Sequence, residues 1–151
     1  MVDLNGEPLH ILLVEDNEDH AELVMRGMRD QQVANRIHHV ADGEQALDYL
    51  FSRGAFADCE KNPRPNLILL DLRLPKVDGL EVLRIIKTTP SLLRIPVVVL
   101  TSSDAESDIV KSFDYHANSY VVKPLDFKTF TNLMKDLGFY WLGWNAKPLA
   151  D

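Results

Sequence analysis

Short apolar runs recur along the chain, separated by longer stretches in which apolar and polar residues mix. Three runs consist mainly of consecutive large aliphatic residues, at positions 10–14, 67–70 and 95–100. Such runs are typical of strands buried on both faces of a parallel sheet. A more polar run at Arg36–Val40 and a short one at Ser119–Val122 complete the set. The pattern therefore predicts five strands.

The intervening stretches carry apolar residues three or four positions apart, which is the spacing of an amphipathic helix. The first helix is expected to begin at the capping and acidic residues 17–19 and to run to about Gln32. Glycine and proline mark the bounds of others. The remaining helices are predicted over residues 44–51, 79–88, 104–115 and from 126 onward, with a long polar connector at 52–65.

Five strands that alternate with five helices imply a parallel sheet with right-handed crossovers and helices on both faces. The predicted fold class is therefore a three-layer α/β domain. We expect a flexible leader at residues 1–8, one domain over residues 9–144 and a short tail at residues 145–151.

Composition and charge argue against several classes of function. The formal net charge of −7 argues against a nucleic-acid-binding surface, which needs a basic face. Cys59 is the single cysteine, so no internal disulfide can form, and no apolar run reaches membrane-spanning length. We therefore expect a cytoplasmic protein without membrane contact. The histidines lack paired metal-ligand spacing and are expected to be surface or strand residues: His10, His20, His38, His39 and His116.

Polar residues follow the predicted strands where each one ends. Glu15 and Asp16 follow the first strand, Asp71 ends the third, and Thr101 and Lys123 follow the fourth and fifth. Because the carboxyl ends of parallel strands meet at one edge, we expect these side chains to converge. Three carboxylates repel one another unless a cation lies among them, and Mg²⁺ prefers oxygen ligands. With an ammonium and a hydroxyl nearby, this set suits phosphoryl transfer to an aspartate.

Taken together, these motifs resemble the response-regulator receiver domain of two-component signalling, over roughly residues 9–137. The matching segments are Glu15-Asp16, Asp71 in LILLDLRLPKVDG, Thr101 in VVLTSS and Lys123-Pro124 in YVVKP. The resemblance implies a flavodoxin-like doubly wound fold with strand order 2-1-3-4-5.

The resemblance also implies a role for each matching acid. Asp71 would accept a phosphoryl group from the phosphohistidine of a histidine kinase. Asp16, Asp71 and the backbone carbonyl of Arg73 would bind Mg²⁺, for which Mn²⁺ can substitute, and Glu15 would hold a metal-bound water. Many family members have aspartate at the position of Glu15, and this longer side chain is expected to preserve metal binding.

The resemblance extends to a switch. Lys123 would pair with the phosphoryl group, and the peptide bond between Lys123 and Pro124 would be cis. Thr101 and Tyr120 would form the switch pair, in which the hydroxyl moves to the phosphate and the ring turns inward. His116 stands where a glycine is common in the family, which puts only the local loop geometry in question.

The C-terminal segment is rich in aromatic residues. They either fold back on their own domain or form a self-association surface, and we expect a homodimer that uses this surface. This tail, the 52–65 connector and the lack of an output domain resemble the small response regulators that partner cyanobacterial phytochromes. A phytochrome-type histidine kinase is therefore the expected partner. The aromatic residues of the expected dimer surface are Phe139, Tyr140, Trp141 and Trp144.

The leading interpretation is a stand-alone receiver that signals by altered protein contacts and is not an enzyme, apart from promoting its own phosphotransfer and slow dephosphorylation. The sequence leaves open a phosphorelay intermediate that passes the phosphoryl group to a histidine phosphotransfer protein. A haloacid-dehalogenase-type enzyme would need a second aspartate two residues after Asp71, where this chain has Arg73.

Overall fold

The computed structural model describes residues 10–30, 36–101, 114–122 and 132 of the 151-residue chain. Predicted helices at 104–115 and from 126 onward fall outside these residues, apart from isolated positions, as does the aromatic tail. The described elements are β1 (His10–Val14), α1 (Glu18–Asp30), β2 (Arg36–Val40), α2 (Gly43–Leu50), β3 (Leu67–Asp71), α3 (Gly79–Thr88), β4 (Val97–Thr101) and β5 (Ser119–Val122), with a short 3₁₀ helix at Gly54–Phe56.

The five strands form one parallel sheet in the order β2-β1-β3-β4-β5. This order confirms the predicted fold. β1 lies between β2 and β3, with Val14 paired to Val40 on one side and to Leu70 on the other. The carboxyl ends of β1, β2 and β3 are consequently adjacent.

The central strands are buried on both faces, as their aliphatic runs predict. Residues 11–14 of β1 and 67–70 of β3 are inaccessible to solvent. Each such side chain contributes on the order of 1.5–3 kcal/mol through burial, so these strands are a rigid support for whatever follows them.

Two elements begin at a different residue than the sequence predicts, for local reasons. α2 begins at Gly43 because the carboxylate of Asp42 accepts a hydrogen bond from the Gln45 N–H at 2.8 Å and caps the helix. β4 begins at Val97, since the Ile95 N–H donates to the Leu92 carbonyl in a preceding turn.

The 52–65 connector packs against α2. The Tyr49 hydroxyl donates to the Pro63 carbonyl at 2.9 Å, and the Tyr49 ring lies 5.3 Å from that of Phe56. Tyr49 also contacts His38 of β2, with 5.2 Å between ring centroids. Burial raises the pKa of Tyr49 to about 12, so its hydroxyl keeps its proton at physiological pH.

Polar contacts fasten the opposite, amino-terminal edge of the sheet. The Lys87 ammonium donates to the carbonyls of Leu93 and Ile95 and to Oδ1 of Asn118, at 3.2, 2.8 and 3.2 Å. The same Asn118 oxygen accepts from the Val97 N–H at 2.8 Å. These bonds join the end of α3 to the starts of β4 and β5.

Among the described residues, no helix combines the length and the apolar composition needed to cross a membrane.

Candidate functional site

Three carboxylates meet at the carboxyl edge of the sheet, and we call them the acid cluster: Glu15, Asp16 and Asp71. One carboxylate oxygen from each lies within 4.8 Å of those of the other two. Glu15 is fully buried, Asp71 is 7 % exposed and Asp16 is open to solvent. Because β1 and β3 are direct neighbours, the acids at their ends are brought together as predicted.

The backbone and side chain of Glu15 are both held by neighbouring groups. Its N–H donates to the Val40 carbonyl at 3.1 Å, and its carbonyl oxygen lies 2.7 Å from Nε2 of His39. Its carboxylate accepts from the Asn17 N–H at 3.3 Å and lies 3.9 Å from Nδ1 of His20. The carboxylate of this longer side chain therefore lies within the acid cluster, as expected for a residue that replaces aspartate.

Asn17 connects the acid cluster to α1. Its side-chain oxygen accepts hydrogen bonds from the N–H groups of Asp19 and His20, at 2.9 and 3.1 Å, and so caps the helix. Since its own N–H bonds to Glu15, the start of α1 and the buried carboxylate are fixed by one residue.

Asp71 is followed by a tightly turned loop. Its Oδ1 accepts the Arg73 N–H at 3.0 Å, and the Gly79 N–H donates to the Leu72 carbonyl at 3.1 Å. A Cβ atom on Gly79 would lie 2.4 Å from the Asp71 carbonyl oxygen and 2.5 Å from the Leu72 Cα. Only glycine allows α3 to start this close to the backbone of the predicted phosphoacceptor.

The far end of the same loop is held by the start of α2. A Cβ atom on Gly43 would lie 2.0 Å from the Val77 carbonyl oxygen. Lys76 has a φ of +68°, a left-handed conformation that costs a non-glycine residue about 1 kcal/mol or more, and its ammonium lies 3.8 Å from the Asp42 carboxylate. Two helix N-termini therefore fix the loop between Asp71 and α3.

The acid cluster offers only oxygen ligands, which suit a hard divalent cation such as Mg²⁺ or Mn²⁺. Three carboxylates this close raise one another's free energy unless positive charge lies among them. The exposed side of Asp16 leaves the cluster accessible from solvent. The residues present thus fit a metal that also contacts an incoming anion.

The other predicted site residues are only partly described. Thr101 ends β4 and pairs with Val122, but its side chain lies outside the described residues, as do Lys123 and Pro124. Their convergence on the acid cluster remains a prediction. Tyr120 lies in β5 with its side chain 40 % exposed.

The His116 position has a physical explanation. Its φ is +68°, in the left-handed region that glycine adopts without steric cost. The family's common glycine suits this conformation, and the histidine adopts it in the loop that precedes β5. The prediction that the departure concerns local loop geometry agrees with this finding.

Sequence reasoning missed His20 and His39 as neighbours of the acid cluster. Both were expected to be surface or strand residues, which they also are, yet each contacts Glu15. His39 is 24 positions from Glu15, and no spacing rule links them. The only available signal is that β2 was predicted to end beside β1.

Comparison with known proteins identifies relatives over nearly the whole chain. The family model described as the response regulator receiver domain matches residues 11–135. The probable methanogenesis regulatory protein FilR2 of Methanothrix harundinacea is 45 % identical over 142 residues, which cover 94 % of this chain and 89 % of that protein. Response regulator Rcp1 of Synechocystis is 40 % identical over 150 residues, covering 99 % and 100 %.

Solved structures of similar proteins share the fold. The bacteriophytochrome response regulator RtBRR has a TM-score of 0.79 and 47 % identity, covering 89 % of this chain and 80 % of its own. The Mn²⁺-bound form of Rcp1 has a TM-score of 0.72 and 41 % identity, covering 89 % and 95 %. The phosphorylated cyanobacterial phytochrome response regulator RcpA has a TM-score of 0.74 and 41 % identity, covering 89 % and 94 %.

The family model spans most of the chain, the sheet order is the predicted one, and three acids meet where that fold places its site. The chain belongs to the response regulator receiver domain family.

Proposed function

We propose that this protein is a stand-alone response regulator in which Asp71 accepts a phosphoryl group from a histidine kinase. The observation that carries the proposal is the acid cluster, in which Asp71 ends the buried central strand with its carboxylate within 4.8 Å of two others. Family membership supports it, and so does the phosphorylated state of the similar protein RcpA.

In the proposed reaction, a carboxylate oxygen of Asp71 attacks the phosphorus of a phosphohistidine. A P–O bond forms, the P–N bond breaks, and the departing imidazole nitrogen takes up a proton from solvent. The product is an acyl phosphate on Asp71. The chain contributes by holding the carboxylate rigidly at a strand end and fixing the loop that follows it.

The metal ligands in this proposal are Asp16, Asp71 and the backbone carbonyl of Arg73, with Glu15 holding a metal-bound water. A bound Mg²⁺ or Mn²⁺ would offset the charge of the phosphoryl oxygens. The oxygen-only cluster supports this assignment, as does the Mn²⁺-bound form of the similar protein Rcp1. Lys123 completes the set as the cation that pairs with the phosphoryl group.

Phosphorylation adds about −1.5 to −2 charges at Asp71 and must bias a two-state element to act at a distance. Thr101 and Tyr120 are the proposed pair, with the Thr101 hydroxyl drawn to the phosphate and the Tyr120 ring turning inward. The exposed Tyr120 side chain supports the starting state of this switch.

The proposed partner is a phytochrome-type histidine kinase. Two similar solved structures, RtBRR and RcpA, are response regulators of bacteriophytochrome and phytochrome. Homodimerisation through the aromatic tail stays a proposal, because the tail lies outside the described residues. The alternative of a phosphorelay intermediate uses the same Asp71 chemistry and differs only in the acceptor.

The test is mass spectrometry of the full chain after incubation with Mg²⁺ and acetyl phosphate. We expect an acid-stable, base-labile gain of about 80 Da, one phosphoryl group, on the wild-type protein and complete loss of the adduct in Asp71→Asn.

Asp114→Asn is the matched control, since Asp114 is exposed and is not a member of the acid cluster. It should keep the adduct. A wild-type protein that binds Mg²⁺ but gains no phosphoryl group would contradict the proposal and would favour a constitutive binding protein.

A further inference from the structure

The side chain of His39 contacts the acid cluster. No motif in the sequence predicts this contact. It lies next to the last residue of β2, and its Nε2 is 2.7 Å from the carbonyl oxygen of Glu15. A carbonyl oxygen has only lone pairs, so Nε2 must carry the hydrogen and donate it. The separation is shorter than the 3.1 Å between the Glu15 N–H and the Val40 carbonyl.

This hydrogen bond lies directly after β1, where the chain leaves the sheet. The Glu15 N–H already donates to the backbone of β2, at Val40. His39 supplies a donor for the carbonyl of the same residue, so both backbone groups of Glu15 bond to β2. The main chain that presents Glu15 and Asp16 is thereby fixed to the neighbouring strand.

His38, the adjacent residue, provides a contrast within the same strand. Side chains alternate between the faces of a sheet, and the His38 ring packs against Tyr49 of α2. Burial and the charge of Arg36 lower the pKa of His38. The two histidines therefore belong to different surroundings although they are neighbours in sequence.

We propose that His39 is a positioning residue of the acid cluster, which acts on metal binding through the backbone of Glu15. The proposal rests on the proposed function, because it assumes that the cluster binds a divalent cation. Three close carboxylates push apart in the absence of a cation, and a backbone anchor keeps them in the arrangement that the cation needs. Groups that orient metal ligands are worth about 10- to 100-fold in metal affinity.

The experiment is titration of the full-length protein with Mn²⁺ alone, followed by electron paramagnetic resonance of the free ion. His39→Leu removes the donor and should weaken Mn²⁺ binding about tenfold. His39→Gln places an amide N–H near the position of Nε2 and should restore affinity to within about twofold. His38→Leu should leave affinity unchanged.

A second measurement separates positioning from reaction. The rate of phosphorylation by acetyl phosphate at saturating metal should be the same for His39→Leu and the wild type, while the metal concentration for half-maximal rate rises about tenfold. A merely structural role would not produce this split together with rescue by glutamine.

Two results would overturn the proposal. One is unchanged Mn²⁺ affinity in His39→Leu, and the other is equal weakening in leucine and glutamine variants, which would assign the effect to ring packing. If His39→Leu does not fold, His39→Asn replaces it, since its shorter amide cannot reach Glu15. Failure of the wild type to bind Mn²⁺ would refute the proposed function itself, and this inference with it.

Discussion

The polar groups at the two edges of the sheet differ in how their charges are matched. At the amino edge, the Lys87 ammonium donates to three oxygen acceptors, and Asn118 bonds both to it and to β4. At the carboxyl edge, three groups of the same charge lie within 4.8 Å of one another. Both edges belong to one sheet, with the amino-edge contacts at the starts of β4 and β5 and the acids at the ends of β1 and β3.

The difference separates a stabilising arrangement from a functional one. Opposite partners at the amino edge satisfy one another, so these bonds hold loops to the sheet. Like charges at the carboxyl edge repel one another and cost folding free energy, which a bound cation offsets. Removing a charged group at the amino edge should therefore lower the free energy of unfolding, whereas removing one at the carboxyl edge should raise it.

The largest effect is expected at the amino edge. Lys87→Met keeps the aliphatic stem but leaves the acceptor oxygens of Leu93, Ile95 and Asn118 without their ammonium donor. We expect the free energy of unfolding to fall by about 2 kcal/mol, measured by urea denaturation. Lys61→Met, at an exposed connector position, is the control and should change stability by less than about 0.5 kcal/mol. If both substitutions changed the free energy of unfolding equally, the stabilising role of the amino edge would be contradicted.

A smaller effect of opposite sign is expected at the carboxyl edge. Asp16→Asn removes one of the three repelling charges and should stabilise the protein by about 0.5 kcal/mol in EDTA. In saturating Mg²⁺ the order should reverse, because the wild type gains more from metal binding. Thermal unfolding under both conditions measures this crossing. Glu60→Gln, in the exposed connector, should show no crossing, and a destabilised Asp16→Asn in EDTA would argue against repulsion.

The smallest effect concerns pH. Burial lowers the pKa of Lys87 from its ordinary 10.5, so just below that pH the unfolded chain binds more protons than the folded one. Stability contributed by this group should therefore rise as pH increases through the window that ends at 10.5. Comparison of urea midpoints for wild type and Lys87→Met across this window checks the sign. A steeper rise in the variant would contradict it.

The sequence predicts the sheet well because burial on both faces demands aliphatic residues at positions 11–14 of β1 and 67–70 of β3. The acid cluster follows from the same reasoning, since strand ends in a parallel sheet share one edge. Contacts such as Lys87 to Asn118, 31 positions apart, or His39 to Glu15 could not be predicted. They depend on how side chains of separate elements meet, which periodicity does not encode.

Positive φ values at residues other than glycine are a second kind of feature that the sequence does not predict. Lys76 and His116 adopt the left-handed conformation without being glycine. A pattern of apolar and polar residues carries no information on this choice, which the surrounding backbone imposes.

The loop between Asp71 and α3 touches backbone on both sides, through Gly79 at one end and Gly43 at the other. For protein engineering, this makes the loop and the two glycines one transferable unit. A segment grafted from another receiver would fit only if the host kept a glycine at the start of both α2 and α3. Chimaeras that exchange α2 alone, with any larger residue in place of Gly43, would therefore displace the phosphoacceptor loop without altering a residue in it.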